Sequence, residues 1–308
     1  MNEIILHHYE MSPYAEKIRA ILGYKNMDWR SAIEPSVMPK PALTALTGGY
    51  RRIPVLQIGA DIYCDTALIA AHIDKIHPAR PILPQDGAGR HVAIGAWAER
   101  AIFWPAARLT IAMLADELPM EFHADRAAMW GVQPSIERMR KAAPRYAEQL
   151  RALLPMVDSM LDGGHPFLLG AAPGYADFAV YHCLWFLRNG GAATRRLLDA
   201  HPAIEVWMAR IGDFGNGQAR DIGLDETLGA ARNAKPSGGY QCIDEENLRR
   251  GAMVAIRAEE FGTEQVEGEI VGLTANSITL LRRDRELGEM AVHFPRLGYM
   301  IRPQQRQD

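Results

Sequence analysis

The spacing of apolar residues changes twice along this chain, and each change coincides with a cluster of prolines or glycines. Up to about residue 77, strand-like and helix-like stretches alternate. From His91 to about Leu224 the spacing is helical throughout, and from Met253 onward apolar residues recur at every second position. The breaks are PARPILPQDGAG at 78–89 and AARNAKPSGGY at 230–240, both without periodicity. A chain of 308 residues, 48% of them hydrophobic, has the apolar material for more than one core. Three domains are therefore predicted, over 1–79, 90–226 and 238–308.

In the first segment Ile4–His8 reads as a strand. Pro13 sits where a first-turn proline is tolerated, and Ile18, Ile21 and Leu22 continue at helical spacing. Ile53–Ile58 and Ile62–Cys64 flank a tight Gly59-Ala60-Asp61 turn, and Leu68, Ile69, His72, Ile73 and Ile76 share one helical face. Strand and helix, then hairpin and helix, make a small α/β sandwich. The second segment carries Val92, Ala96, Trp97, Ala101 and Trp104 at intervals of three and four, then a long amphipathic run from Met139 to Leu161. Pro105 and Pro155 are expected to kink or break these helices. Phe178, Tyr181, His182, Trp185 and Phe186 mark a further, buried helix. In the third segment Met253–Ile256, Val266–Val271, Ser277–Leu281, Glu289–Phe294 and Tyr299–Ile301 read as five short strands of a small antiparallel β-barrel-like domain.

Composition removes several function classes. The net charge is −3, and residues 236–308 hold nine Arg against twelve Asp or Glu, so no basic footprint for nucleic acid is present. No apolar run approaches the eighteen residues of a membrane span, and no basic stretch leads an apolar run at the N-terminus, so a cytoplasmic protein is expected. Cys64, Cys183 and Cys242 lie far apart, which argues against disulfides, a zinc site or a dithiol centre and fits a reducing compartment. His7, His8 and His72 lack partners at metal-ligand spacing, so no metal is expected. No glycine-rich phosphate loop and no Ser-His-Asp or Cys-His signature occurs.

Three short pieces carry chemistry. Ser12 precedes a helix, where a hydroxyl and the positive helix end together can stabilise a thiolate. A thiol of pKa about 8.5 is only about 3% ionised at pH 7; lowering that value by two units raises the nucleophilic fraction more than twentyfold, for about 2.7 kcal/mol. Serine is equally a preferred plain cap. Ile53-Pro54 at a strand entry is a candidate cis peptide that would turn the Ile53 backbone outward for an extended peptide, or an ordinary edge-strand proline. Asp65-Thr66 at the next helix start can hold an ammonium and a carboxylate together, or simply cap the helix.

In order along the chain, SPYAEKIR (12–19), RRIPVL (51–56), YCDTALIAAHI (63–73) and PGYADFAVY (173–181) resemble the cytosolic glutathione transferases over residues 3–225. The resemblance implies a thioredoxin-like N-terminal domain, an all-helical C-terminal domain and a homodimer. It implies glutathione as co-substrate, with Ser12 stabilising its thiolate and Ile53, before a cis Pro54, meeting its cysteinyl unit. Asp65 and Thr66 would hold the γ-glutamyl end, and Arg52 would stand near the glycyl carboxylate. Trp97, Trp104 and Arg108, near one helical face, are candidates for the pocket of a small electrophile. Where thiol-transferring relatives use Cys, this chain has Ser12, which disfavours disulfide exchange and leaves conjugation, dehalogenation, peroxide reduction and isomerisation. Where the family commonly caps the PGYADFAVY helix with Ser or Thr, this chain has Gly174. A non-catalytic relative, serving as a glutathione-responsive or purely structural interaction module with the β segment as the partner site, is the alternative.

Overall fold

The structure is a computed structural model and describes residues 3–304 apart from 244, 247 and 263. The first segment forms β1 (Ile4–His8), α1 (Pro13–Tyr24), β2 (Asp28–Ile33), α2 (Pro41–Thr47), β3 (Val55–Ile58), β4 (Asp61–Cys64) and α3 (Thr66–Ile76). β1 pairs in parallel with β2 and antiparallel with β3, which pairs antiparallel with β4, giving a thioredoxin-like mixed sheet. β2 escapes the period-two signal because its faces are unevenly buried.

The helical segment comprises α4 (Ala88–Trp97), a π turn (Ala98–Ile102), α5 (Phe103–Met113), α6 (Met120–Met129), α7 (Ile136–Leu161), α8 (Tyr175–Arg188), α9 (Ala192–Asp199) and α10 (Pro202–Gly212). Neither proline breaks its helix: Pro105 is the third residue of α5, directly after the π turn, and Pro155 lies inside α7, which runs unbroken for 26 residues. Pro105 has no N–H for the carbonyl one turn earlier, and the wide π turn lies where that bond is missing. α7 is held by its buried Leu150, Leu154 and Val157 despite the bonds lost at Pro144 and Pro155.

Gly174 at the start of α8 has a steric cause. A Cβ there would lie 2.0 Å from Cε1 of His91 in α4. The His91 ring stands where a capping side chain would, and its Nδ1 accepts from the Ala176 N–H at 3.4 Å. Burial, with help from Arg90, lowers the His91 pKa, which keeps that nitrogen an acceptor. Asp177 accepts from the Gly174 and Leu168 N–H groups and from Trp207 Nε1, each at 2.9 Å.

After α10 the chain returns to the N-terminal sheet. β5 (Gln218–Asp221) adds in parallel to β2, every residue exposed, so it carries no apolar pattern to read. α11 (Leu224–Arg232) follows, then β6 (Met253–Ala258), β7 (Val266–Leu273), β8 (Ser277–Asp284), β9 (Gly288–Pro295) and β10 (Tyr299–Pro303). These five strands pair antiparallel in the order β10-β6-β7-β8-β9, and β9 joins β4 in parallel, so one ten-stranded sheet runs through both β regions. Leu43, Leu46, Val55 and Ile62 share a core with Val254, Ile270, Leu280 and Phe294. The seam is also polar: Asp61 on β4 accepts from His293 Nε2 at 3.0 Å, Tyr240 Oη at 2.5 Å and the Ser237 N–H at 2.8 Å. Burial pushes its carboxyl up, but these hydrogen bonds outweigh it and the net shift is downward. Arg282 of β8 donates to the Ala45 carbonyl of α2 at 3.2 Å, and a Cβ at Gly48, whose φ is +80°, would lie 2.1 Å from its Nε.

Candidate functional site

A cleft of about 1210 Å³ opens where the first segment, the helices and the β segment meet. Ser12, Arg52, Ile53, Pro54, Asp65 and Thr66 line one part of it, and Trp104 and Arg108 line another. Trp97 is not among the lining residues; it is half-buried against the main core.

Ser12 is the N-cap of α1, its Oγ accepting from the Ala15 N–H at 3.2 Å. A hydroxyl has two lone pairs and one proton, so capping leaves the proton for a second partner. Among the described residues nothing accepts it, so capping and thiolate stabilisation are compatible in one residue. The Ile53–Pro54 peptide is cis. The Ile53 N–H and C=O precede β3 and find no hydrogen-bond partner among the described residues.

Asp65 caps α3 with a φ of +75°, one of three non-glycine residues with positive φ among those described. Its Oδ1 accepts from the Ala67 N–H at 2.9 Å, and its Oδ2 from Tyr299 Oη at 3.3 Å. Tyr50 and Tyr299 hydroxyls lie 3.0 Å apart, and because Tyr299 spends its proton on Asp65, Tyr50 is the donor between them. A relay thus runs from α2's end through β10 to the carboxylate. Burial, then repulsion from Glu99, raises the Asp65 pKa against the opposing pull of the Ala67 N–H, Lys17 and Arg52. Fully buried Lys17 is ion-paired with Glu99 on the π turn and lies over the rings of Tyr14 and Tyr175, 5.4 Å from each. Thr66, the first residue of α3, is buried in the same wall.

Arg52 is directed at the β segment. Its guanidinium donates to the Phe261 carbonyl and lies 4.0 Å from that ring's centre. Arg51 and Arg126 both hold Asp125. Lys40 lines the cleft beside them, and among the described residues its ammonium has no hydrogen-bond or ion-pair partner. Burial, then repulsion from Arg126 and Arg51, lowers its pKa to about 8.

Sequence reasoning missed Lys40, Tyr50, Phe261 and Tyr299. Lys40 sits in a proline-rich loop without periodicity, and Phe261 and Tyr299 are more than two hundred residues from Arg52 and Asp65, which they meet. No local signal reports such contacts. Among the described residues no group of three His, Cys, Asp or Glu is positioned to hold a metal ion, and no helix is long and apolar enough to cross a membrane.

Residues 6–81 match the glutathione S-transferase N-terminal domain, and residues 133–210 match its C-terminal domain. A GST-like protein from Pseudomonas syringae is 37% identical over 99% of this chain and 100% of its own, with a TM-score of 0.82. A glutathione S-transferase from Rhodospirillum rubrum is 20% identical over 68% of this chain and 87% of its own, with a TM-score of 0.55. FzlA from C. crescentus is 21% identical over 76% and 94%, with a TM-score of 0.53. The latter two likenesses concern the fold alone. No curated protein matches the chain. With both domains matched in order and the Pseudomonas protein alike from end to end, the chain belongs to the glutathione S-transferase family.

Proposed function

We propose that this protein is a glutathione transferase that activates the glutathione thiol for attack on a small electrophile. The observation that carries the reading is the convergence, on one cleft wall, of the Ser12 hydroxyl with its proton unspent, the Ile53 backbone pair and the Asp65 carboxylate. A tripeptide thiol needs these groups in this combination. The raised pKa of Asp65 means its charged form lacks a full counter-charge, and an arriving γ-glutamyl ammonium supplies one. Thr66 and the N–H groups at the start of α3 suit the neighbouring carboxylate. Arg52 spends one donor on the Phe261 carbonyl and keeps the others, so the glycyl carboxylate is shared between Arg52 and the unpartnered Lys40.

The reaction proceeds by positioning and electrostatics. The Ser12 proton and the α1 N-terminus stabilise the thiolate, the thiol proton leaves to solvent, and sulfur adds to the electrophile held against the helical wall. The protein is expected to act as a homodimer in a reducing cytoplasm, where its three unpaired cysteines remain thiols.

Calorimetric titration with glutathione, followed by initial rates with 1-chloro-2,4-dinitrobenzene for the parent and Ser12→Ala, tests this reading. Binding by both forms, with a rate at least tenfold lower in the variant, is expected. Absence of glutathione binding by folded protein refutes it. Binding without turnover across several electrophile classes would favour the non-catalytic alternative.

A further inference from the structure

Beyond the residues assigned to glutathione, the cleft changes character. Trp104 of α5, Trp130 just after α6, Tyr146 of α7 and Phe261 of the β6–β7 loop line this part, all half-buried. Trp130 and Phe261 stack at 4.8 Å with their planes 17° apart, and Trp104 meets them edge-on at 4.7 and 5.4 Å. Arg108, one helical turn after Trp104, lies within this group. Its guanidinium carbon is 5.7 Å from the Trp104 ring centre, 5.3 Å from Trp130 and 5.6 Å from Tyr146.

Arg108 differs from its neighbours in what it lacks. Arg51 and Arg126 share Asp125, Arg52 donates to Phe261, Arg138 donates to Gln133, and Arg100 lies 3.8 Å from Glu260. Among the described residues Arg108 has neither a carboxylate within 4.0 Å nor a hydrogen-bond acceptor. A guanidinium is a planar fork of five donors, matched to a carboxylate in two-point contact, and aromatic neighbours hold it without using those donors. The surrounding rings offer faces and edges to a flat hydrocarbon but no counter-charge.

We propose that this aromatic and arginine face selects a planar aromatic electrophile bearing a carboxylate, with Arg108 as the specificity-determining residue. The inference rests on the glutathione reading of the opposite wall. The carboxylate meets the Arg108 fork and the ring packs against Trp104 and Trp130. For an aryl halide of this class, the thiolate forms the C–S bond, the C–Cl bond breaks, chloride leaves with the electron pair, and the thiol proton goes to solvent. The β segment takes part through Phe261, which closes the aromatic group from its side of the cleft.

The test is calorimetric titration of the full chain, without glutathione, with 3,5-dinitrobenzoate and with its neutral counterpart 1,3-dinitrobenzene. The parent is expected to bind the carboxylate about two- to fivefold more tightly, as for an exposed arginine–carboxylate pair. Arg108→Gln should lose that preference while still binding the neutral ring, and Arg108→Lys should keep part of it. Circular dichroism melts establish that the variants fold. Equal affinities in the parent, a preference that persists in Arg108→Gln, or no binding of the carboxylate at millimolar concentration would each overturn the proposal. Because glutathione is left out, these outcomes are separate from failure of the glutathione reading, which its own titration reports.

Discussion

Replacing Tyr299 by Phe removes one oxygen from a hydroxyl relay that joins the β segment to the cleft. The Tyr50 hydroxyl, donor to Tyr299 at 3.0 Å, would be left buried without an acceptor, at a cost of about 1–3 kcal/mol. Asp65 Oδ2 would lose the donor it now has at 3.3 Å, a long bond to a charged group, costing about 1 kcal/mol more. A total of about 2–4 kcal/mol corresponds to a melting temperature lower by about 3–6 °C in a chain of 308 residues. Hydrogen bonds to a carboxylate favour its charged form, so losing one raises the Asp65 pKa beyond the elevation that burial already imposes. The ammonium of glutathione needs the charged form. Binding of S-methylglutathione, titrated calorimetrically between pH 4 and 8, should therefore weaken, and its acid limit should move to higher pH. Tyr50→Phe is the control, because it leaves Tyr299 donating to Asp65 and should spare the ligand's acid limit. If Tyr299→Phe melts like the parent and binds with the parent's pH profile, or if Tyr50→Phe shifts that profile equally, the relay does not act on Asp65 and the reasoning fails.

Lys40→Met should weaken S-methylglutathione binding about tenfold at pH 7. The difference from the parent should shrink as the pH rises through about 8, where the native ammonium loses its proton; a constant ratio across that range would contradict the assignment. Gly174→Ser should destabilise the protein by about 1–3 kcal/mol, because its Cβ meets the His91 ring. His91→Ala/Gly174→Ser should be less destabilised than the sum of the single changes, and additivity in urea unfolding would show that the ring and the cap do not compete. Acid should destabilise the fold through His72 and His8, whose pKa values burial lowers to about 4 and about 3, aided at His72 by His293 and at His8 by Arg19. Both are held neutral in the folded state, so the unfolded chain takes up more protons below pH 6.5. The contribution is complete above 6.5 and is lost as the pH falls toward 4 and 3, at about 2 kcal/mol each by pH 5. Unfolding free energies that stay level between pH 7 and 5 would refute this.

The parts of the site that were legible are those where one short stretch sets both the backbone and the chemistry. Ser12 before Pro13 announces a helix start, and Asp65-Thr66 announces another, because caps are recognised by residue type within a turn. The five final strands follow from period two, and their bounds extend the predicted ones by three residues or fewer. What alternation cannot convey is which edge a strand will meet. β9 was readable as a strand, yet nothing in GEMAVHFP states that its His293 faces Asp61 across a parallel pairing with β4. Asp61 illustrates the difficulty. An inward acidic residue on an edge strand commonly guards that edge against further pairing, since burying it unpaired costs several kcal/mol. Here His293, Tyr240 and Ser237 supply the donors, so the same carboxylate admits one partner strand and penalises any that lacks them. That choice of edge joins the β segment to the thioredoxin-like sheet and brings β10 and the β6–β7 loop to the cleft, where Tyr299 reaches Asp65 and Phe261 reaches Arg52. The placing of Tyr299 and Phe261 in the site thus depends on one polar seam between strands more than two hundred positions apart, and that distance is why these two could not be read in advance, whereas Lys40 was hidden by a loop without periodicity.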